Sequence, residues 1–233
     1  MFVPHHWDDG SNKAESFLIN GRGRFHNFGG VYTPVEELFV EAGKRYIIRV
    51  INAGVSFCPV EMSIDGHTLT VIASDGADVE PVEVNSLILH NGERYDVVID
   101  TTGKKENTYF IRFGGHMDCS VNKVHGTALL RFKNSKQVDQ NSLLPKTKYS
   151  SYINIPGKQI NSINRGKGDE LKVSVADLRD SRMEVLNKAD RTIYLSYNFH
   201  DASNPEFYDD FSTHSNKSGG RKSCELQRST IYH

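Results

Sequence analysis

Apolar and polar residues alternate with a period of two along most of this chain, and a helical period is scarce. Phe17-Leu18-Ile19 is a short apolar run ending at the turn signal Asn20-Gly21, and Glu37-Leu38-Phe39-Val40 is a second, ending near Gly43. Tyr46 to Ile51 is β-branched and closes at Asn52-Ala53-Gly54. Val60, Met62 and Ile64 alternate with Glu61 and Ser63, and Leu69 and Val71 alternate with Thr68 and Thr70. Asp65-Gly66 between them supplies the positive-φ turn of a two-residue hairpin. Further strands are predicted at Val82 to Val84, at Leu87 to Leu89 before Asn91-Gly92, at Tyr95 to Ile99, at Tyr109 to Phe113 and at Ala128 to Phe132. About nine strands with glycine turns between them, and no strand–helix alternation, predict an all-β antiparallel sandwich.

Beyond Phe132 the alternation fades. Residues 133–170 are rich in Lys, Asn, Ser and Gln, with Pro145 and Pro156, and read as a linker with a weak strand signal at Tyr152 to Ile155. Glu170 to Leu186 has the spacing of a strand and a short helix, and Ile193 to Phe199 is a further β-like run. The last residues are polar and flexible in character.

Composition narrows the function classes. The 233 residues carry a net charge of -1 and are 37% hydrophobic, enough for one substantial domain with a tail or for two small ones. Mixed charges give no footprint for nucleic acid or for an anionic membrane. No apolar run has the length of a membrane span, and MFVPHHWDDG lacks the basic and apolar regions of a signal peptide. Cys58, Cys119 and Cys224 allow at most one disulfide.

Candidate chemistry is sparse. The phosphate loop, the dinucleotide fingerprint, the G-x-S-x-G elbow and H-E-x-x-H are all missing from the sequence. Asp8-Asp9 and Asp209-Asp210 read as solvated turn residues. Ten histidines suggest a metal, yet no His-x-His occurs, the pattern that would place two imidazoles on one face of a strand. His5 and His6 are adjacent and would point to opposite sides of an extended chain. Met117, Cys119 and His125, with His116 nearby, are the ligand types of a blue-copper centre, but no Met follows the histidine, and a structural loop cysteine is the plainer reading.

The run from Ile48 to Ile99 carries an ordered series: Arg-Val-Ile-Asn-Ala, Asp-Gly-His-x-Leu-x-Val-Ile, Asp-Gly, Glu-Pro-Val and Gly-Glu-Arg-Tyr-Asp. It resembles the middle plastocyanin-like domain of laccase-type multicopper oxidases, particularly those of arthropods and other animals. The likeness extends through Leu18 to Arg24, Tyr109 to Phe113, Met117-Asp118-Cys119 and Ala128 to Phe132, and more weakly to Asn204 to Tyr208.

The resemblance implies a cupredoxin-like Greek-key sandwich at 14–135, a leading interdomain segment at 1–13, an irregular connection with short strands at 136–215, and a disordered tail at 216–233. Oxidases of this kind take electrons from phenolic substrates through copper and reduce dioxygen to water. Their ligands sit in the first and third domains, which are the implied partners of this one. The resemblance therefore carries no catalytic, cofactor-binding or metal-ligating residue onto this chain, and an isolated middle domain is expected to be inactive and to bind no copper. The alternative is a non-catalytic β-sandwich that binds a ligand or partner.

Within the resemblance, His67 reads as scaffold that orders the loop after Asp65-Gly66, and Arg94 with Asp96 reads as a charge pair fastening a turn. Residues after Gly54 or near Gly114-Gly115 would adjoin a phenol pocket in the full-length family. Cys58 and Cys119 are either bridged, as befits a secreted family, or two buried thiols. An extracellular location is implied. Asn216-Lys217-Ser218 fits a glycosylation sequon.

Overall fold

The computed structural model describes residues 14, 16–24, 33–54, 58–136, 139–140, 148–163 and 171–181, together with two strands at 195–200 and 223–228. The chain divides into two compact units, Met1–Met183 and Glu184–His233.

The first unit is a sandwich of two sheets. Nine strands form its body: β1 Glu37–Val40, β2 Arg45–Ile51, β3 Val60–Ile64, β4 Leu69–Ser74, β5 Ala77–Val84, β6 Ser86–Leu89, β7 Arg94–Asp100, β8 Thr108–Gly115 and β9 His125–Phe132. A short helix, α1 Asp118–Val121, precedes β9, and the two-residue strands β10 Gln159–Ile160 and β11 Lys172–Val173 follow it. One sheet runs β1-β9-β8-β3-β6-β10-β11 and the other β2-β7-β4-β5. The inner pairs are antiparallel, whereas β1 on β9, β10 on β6 and β11 on β10 are parallel. This is the cupredoxin-like sandwich that the alternation and the motifs led us to expect, with parallel pairs added at both edges of the larger sheet.

Between the sheets, Leu69, Val71, Leu87, Val97, Ile99, Ala128, Leu130 and Phe132 are at most 1% exposed. Each fully buried large apolar side chain contributes about 1.5–3 kcal/mol relative to an exposed one. These inward positions are every second residue along β4, β7 and β9, which is why a period of two made them visible in the sequence.

Turns read as alike in the sequence do different things. Asp75-Gly76, with φ of 49° and 92°, closes a true hairpin in which β4 pairs with β5. Asp65-Gly66 does not close one: after the single bridge Ile64↔His67 the chain leaves one sheet for the other. β3 pairs with β6 and β8, and β4 with β5 and β7, so the predicted β3–β4 hairpin is a corner of the sandwich. A tight turn between two alternating strands looks the same in both cases. Phe17 to Ile19, also predicted as a strand, holds only the bridge Ile19↔Arg22.

Residues 148–161, whose polar composition reads as linker, lie against the sandwich, with Tyr152 and Ile160 buried and β10 added beside β6. In the second unit, β12 Leu195–His200 and β13 Ser223–Arg228 pair antiparallel, with Leu195 opposite Arg228. Among the described residues no helix is long and apolar enough to cross a membrane.

Candidate functional site

The copper-type constellation can be tested on its donors. Cys119 and Cys58 form a disulfide with Cα atoms 5.3 Å apart, both sulfurs buried beneath Phe17 and Val124. A blue-copper site needs a free thiolate, and here the sulfur is bonded to carbon and to another sulfur. The imidazoles are engaged as well. His116 Nε2 donates to Glu61 at 2.9 Å, and His125 Nδ1 donates to the Lys123 carbonyl at 2.7 Å. Met117 is half exposed at the start of α1. The residues present do not fit copper. Among the described residues no group of three or more His, Cys, Asp or Glu stands ready to hold a metal ion.

The disulfide settles the pairing that the sequence left open, because it is formed. It ties the segment before β3 to α1, at one end of the larger sheet.

The densest polar chemistry gathers at Glu61, a residue that strand alternation assigned to the outer face of β3. Its side chain is fully buried. Oε1 accepts from Ser86 Oγ at 2.8 Å, Gln159 Nε2 at 2.8 Å and the Ile155 amide at 3.0 Å. Oε2 accepts from the Asn154 amide at 2.7 Å and from His116 Nε2 at 2.9 Å. Burial alone would raise its pKa, but the donors from His116, Ile155, Ser86 and Asn154 outweigh it and hold the carboxyl below the ordinary range. Glu61 is therefore an anion whose oxygens are occupied by donors from β6, from the end of β8 and from the connection. The chemistry of such a group is to fasten chain, since no lone pair is left to serve a substrate.

Neighbouring contacts extend the same fastening. The Tyr149 hydroxyl donates to the Gly115 carbonyl, and burial followed by the Glu61 charge pushes its pKa up. Thr127 Oγ1 and Tyr152 Oη share a hydrogen bond of 2.9 Å. Asn161, held at φ 60°, donates to Glu93 Oε2 at 2.8 Å and to the Ile88 carbonyl at 3.2 Å. It also meets the Tyr95 hydroxyl, whose pKa is raised by burial and by Glu93.

The hairpin-like corner at Asp65 has its own lock. Arg112 donates from Nε and Nη2 to the two Asp65 oxygens, both at 2.7 Å, with its guanidinium 5.2 Å from the ring centres of Phe110 and Tyr152. The Asp65 hydrogen bonds raise the Arg112 pKa against its burial. His67 sits 5% exposed beside this pair. Its Nδ1 donates to the Asp65 carbonyl at 2.8 Å, and its ring meets Tyr109 edge-on at 4.7 Å. Burial, with Lys104 adding to it, lowers the imidazole pKa. The scaffold role of His67 thus stands, although its bond closes the corner locally and does not reach across a hairpin.

Arg94 and Asp96 do not pair with each other, because residues two apart on β7 take different neighbours. Arg94 binds Asp75 at 2.9 Å, amide to Oδ1 and Nη2 to the carbonyl, while Asp96 meets Arg49 Nε at 3.6 Å. Arg94 still fastens a turn, the one at Asp75-Gly76. Gly114 and Gly115 are buried, and a Cβ on either would collide with the Tyr152 carbonyl or with Cys119. They are packing positions. The loop at 55–57, His5, His6, Asp8, Asp9, Asp209, Asp210, the stretch from Asn204 to Tyr208, the Asn216 sequon and the side chain of Cys224 lie outside the described residues.

Residues 4–135 match the family model for multicopper oxidases. Laccase-2 of Botryotinia fuckeliana is 34% identical over 150 residues, covering 59% of this chain and 25% of that protein. Laccase-4 of Thanatephorus cucumeris is 42% identical over 98 residues, covering 42% and 18%. The chain spans a quarter or less of the length of these relatives. Among solved structures, laccase from Botrytis aclada superposes with a TM-score of 0.45 at 27% identity, covering 56% of this chain and 24% of that one.

Proposed function

The chain belongs to the multicopper oxidase family, and from that premise we propose that it is the middle, scaffold domain of a laccase-like oxidase, placed between two copper-holding domains and itself without a copper ligand. The whole protein would oxidise phenolic substrates and pass their electrons to dioxygen, with copper supplying the one-electron chemistry. The first and third domains would be the partners of this one. A domain of this kind works by holding its neighbours at a fixed separation, and this chain's polar residues are committed to stiffness.

The carrying observation is the Glu61 carboxylate, which binds Asn154, Ile155 and Gln159 of the connection to strands of the sandwich. A connection fastened in this way leaves the domain in a set direction. The Cys58–Cys119 disulfide suits an extracellular location.

Two measurements test the reading. The purified 233-residue chain should hold no stoichiometric copper and should not oxidise a phenol such as 2,6-dimethoxyphenol. Sequence flanking this chain should encode His-x-His elements upstream and a His-Cys-His element downstream. Blue, copper-loaded 233-residue protein would overturn the proposal, and flanks without those elements would favour a free-standing binding module.

A further inference from the structure

The fold guards one edge of its smaller sheet and, among the described residues, leaves the other unpaired. At β5 the edge carries Pro81 and is covered by residues 179–181: Glu80 donates its amide to Arg179 at 2.8 Å, and Ser181 donates to Asp78 at 3.2 Å. Proline and a covering segment are two ways in which proteins block a sheet edge. β2, at the opposite edge, has no proline, and no segment among the described residues covers it. It is seven residues of regular strand, RYIIRVI, and among the described residues it pairs only with β7. The other sheet ends in strands of four and two residues, β1 and β11.

The free groups of β2 can be assigned. The Thr101 amide donates to the Lys44 carbonyl and the Asn52 amide to the Glu93 carbonyl, both at 3.0 Å, so the even-numbered residues face β7. An antiparallel ladder alternates, which leaves Arg45, Ile47, Arg49 and Ile51 presenting N–H and C=O to the open edge. Their side chains are exposed, Ile47 by 58% and Ile51 by 63%, while the inward-facing Tyr46, Ile48 and Val50 are partly buried against the core.

We propose that β2 pairs with β2 of a second copy of this chain, antiparallel, about a two-fold axis at Ile48. The order of residues selects this partner and this register. With the axis at Ile48, Arg45 lies opposite Ile51, Ile47 lies opposite Arg49, and Tyr46 lies opposite Val50, so each guanidinium stem covers an isoleucine. An axis at Ile47 would set Arg45 against Arg49, and one at Arg49 would set that residue against itself; like charges directly opposite destabilise a sheet. The strand is thus self-complementary over its full length in this register alone, and the joined sheets would run continuously through the interface. The pairing involves neither copper nor neighbouring domains, so it can fail while the scaffold reading stands.

Sedimentation equilibrium of the 233-residue chain from about 1 to about 500 µM covers the range for a small interface of this kind. A monomer–dimer equilibrium is expected, and amide exchange at Ile47 and Arg49 should slow as the dimer fills. Ile47→Arg, which sets two arginines opposite each other twice by symmetry, should weaken dimerisation roughly tenfold or more. Adding Arg49→Glu to it should restore the dimer, since each new arginine then faces a glutamate. A chain monomeric throughout that range overturns the proposal. So does a dimer whose β2 amides exchange at the monomer rate, or a folded double variant that does not regain association. Exchange on the unaltered chain decides the matter even if a variant fails to fold.

Discussion

Glu61 Oε2 and His116 Nε2 meet at 2.9 Å at a point where the carboxylate is sealed from water. The imidazole is one of the donors around that anion, and the others come from β6 and the connection. Glu61→Gln keeps the shape but turns an NH2 group towards amides that can only donate. Leaving such buried donors unmatched costs about 1–3 kcal/mol each, so the variant should lose roughly 3 kcal/mol or more in urea unfolding. The amides of Asn154 and Ile155 should lose exchange protection first.

The same carboxylate gives an acid dependence with a defined sign. Its folded pKa is depressed, so the unfolded state binds more protons as the pH falls through the carboxylate range. Stability supplied by Glu61 is complete above its unfolded pKa and is lost as the pH falls through the folded one. Chemical denaturation between about pH 5 and pH 3 should show this loss, and Glu61→Gln should flatten the slope.

His67 acts in a higher window. Its folded pKa is lowered by burial, and a proton on Nε2 would have no acceptor among the described residues. Neutral His67 therefore contributes fully above its unfolded pKa of about 6.5, and stability falls as the pH drops below it towards the folded pKa. NMR of the imidazole should show the Nδ1–H tautomer persisting below pH 6.5, and His67→Gln should remove this part of the slope. Lys104 and Asp65 bias the titration in opposite directions, so Lys104→Met should raise the His67 pKa.

The Cys58–Cys119 bridge closes a sequence separation of 61 residues. In the chain-entropy account its loss costs about 4 kcal/mol. The Cys58→Ser/Cys119→Ser variant should melt well below the parent by calorimetry. Reduced parent protein given copper should develop no thiolate-to-copper absorption, because His116 and His125 have other partners.

Arg112→Lys tests the corner lock. Lysine keeps the charge and loses the two-pronged grip on Asp65 and the stacking between Phe110 and Tyr152. A cost of about 1–2 kcal/mol is expected, read as a fall in the denaturation midpoint.

The sequence by itself determined the class of fold, most of the strands and the family, because a period of two and a run of ordered motifs are local properties that survive in one dimension. Scaffold duty for His67 was legible too, since its partner Asp65 is two residues away. Only the tertiary structure decided which sheet each strand joins, since Asp65-Gly66 and Asp75-Gly76 carry similar turn chemistry and only the second closes a hairpin. It also decided that Glu61 is a buried carboxylate accepting five hydrogen bonds and not an outward-facing polar residue. Several of its donors lie 55 to 98 residues away along the chain, and no local pattern announces a partner at that distance. Arg94 and Asp96 show the same limit: two residues apart in the motif, they find Asp75 in the β4–β5 turn and Arg49 across the ladder on β2, because in a sheet the nearest side chain is usually on a neighbouring segment.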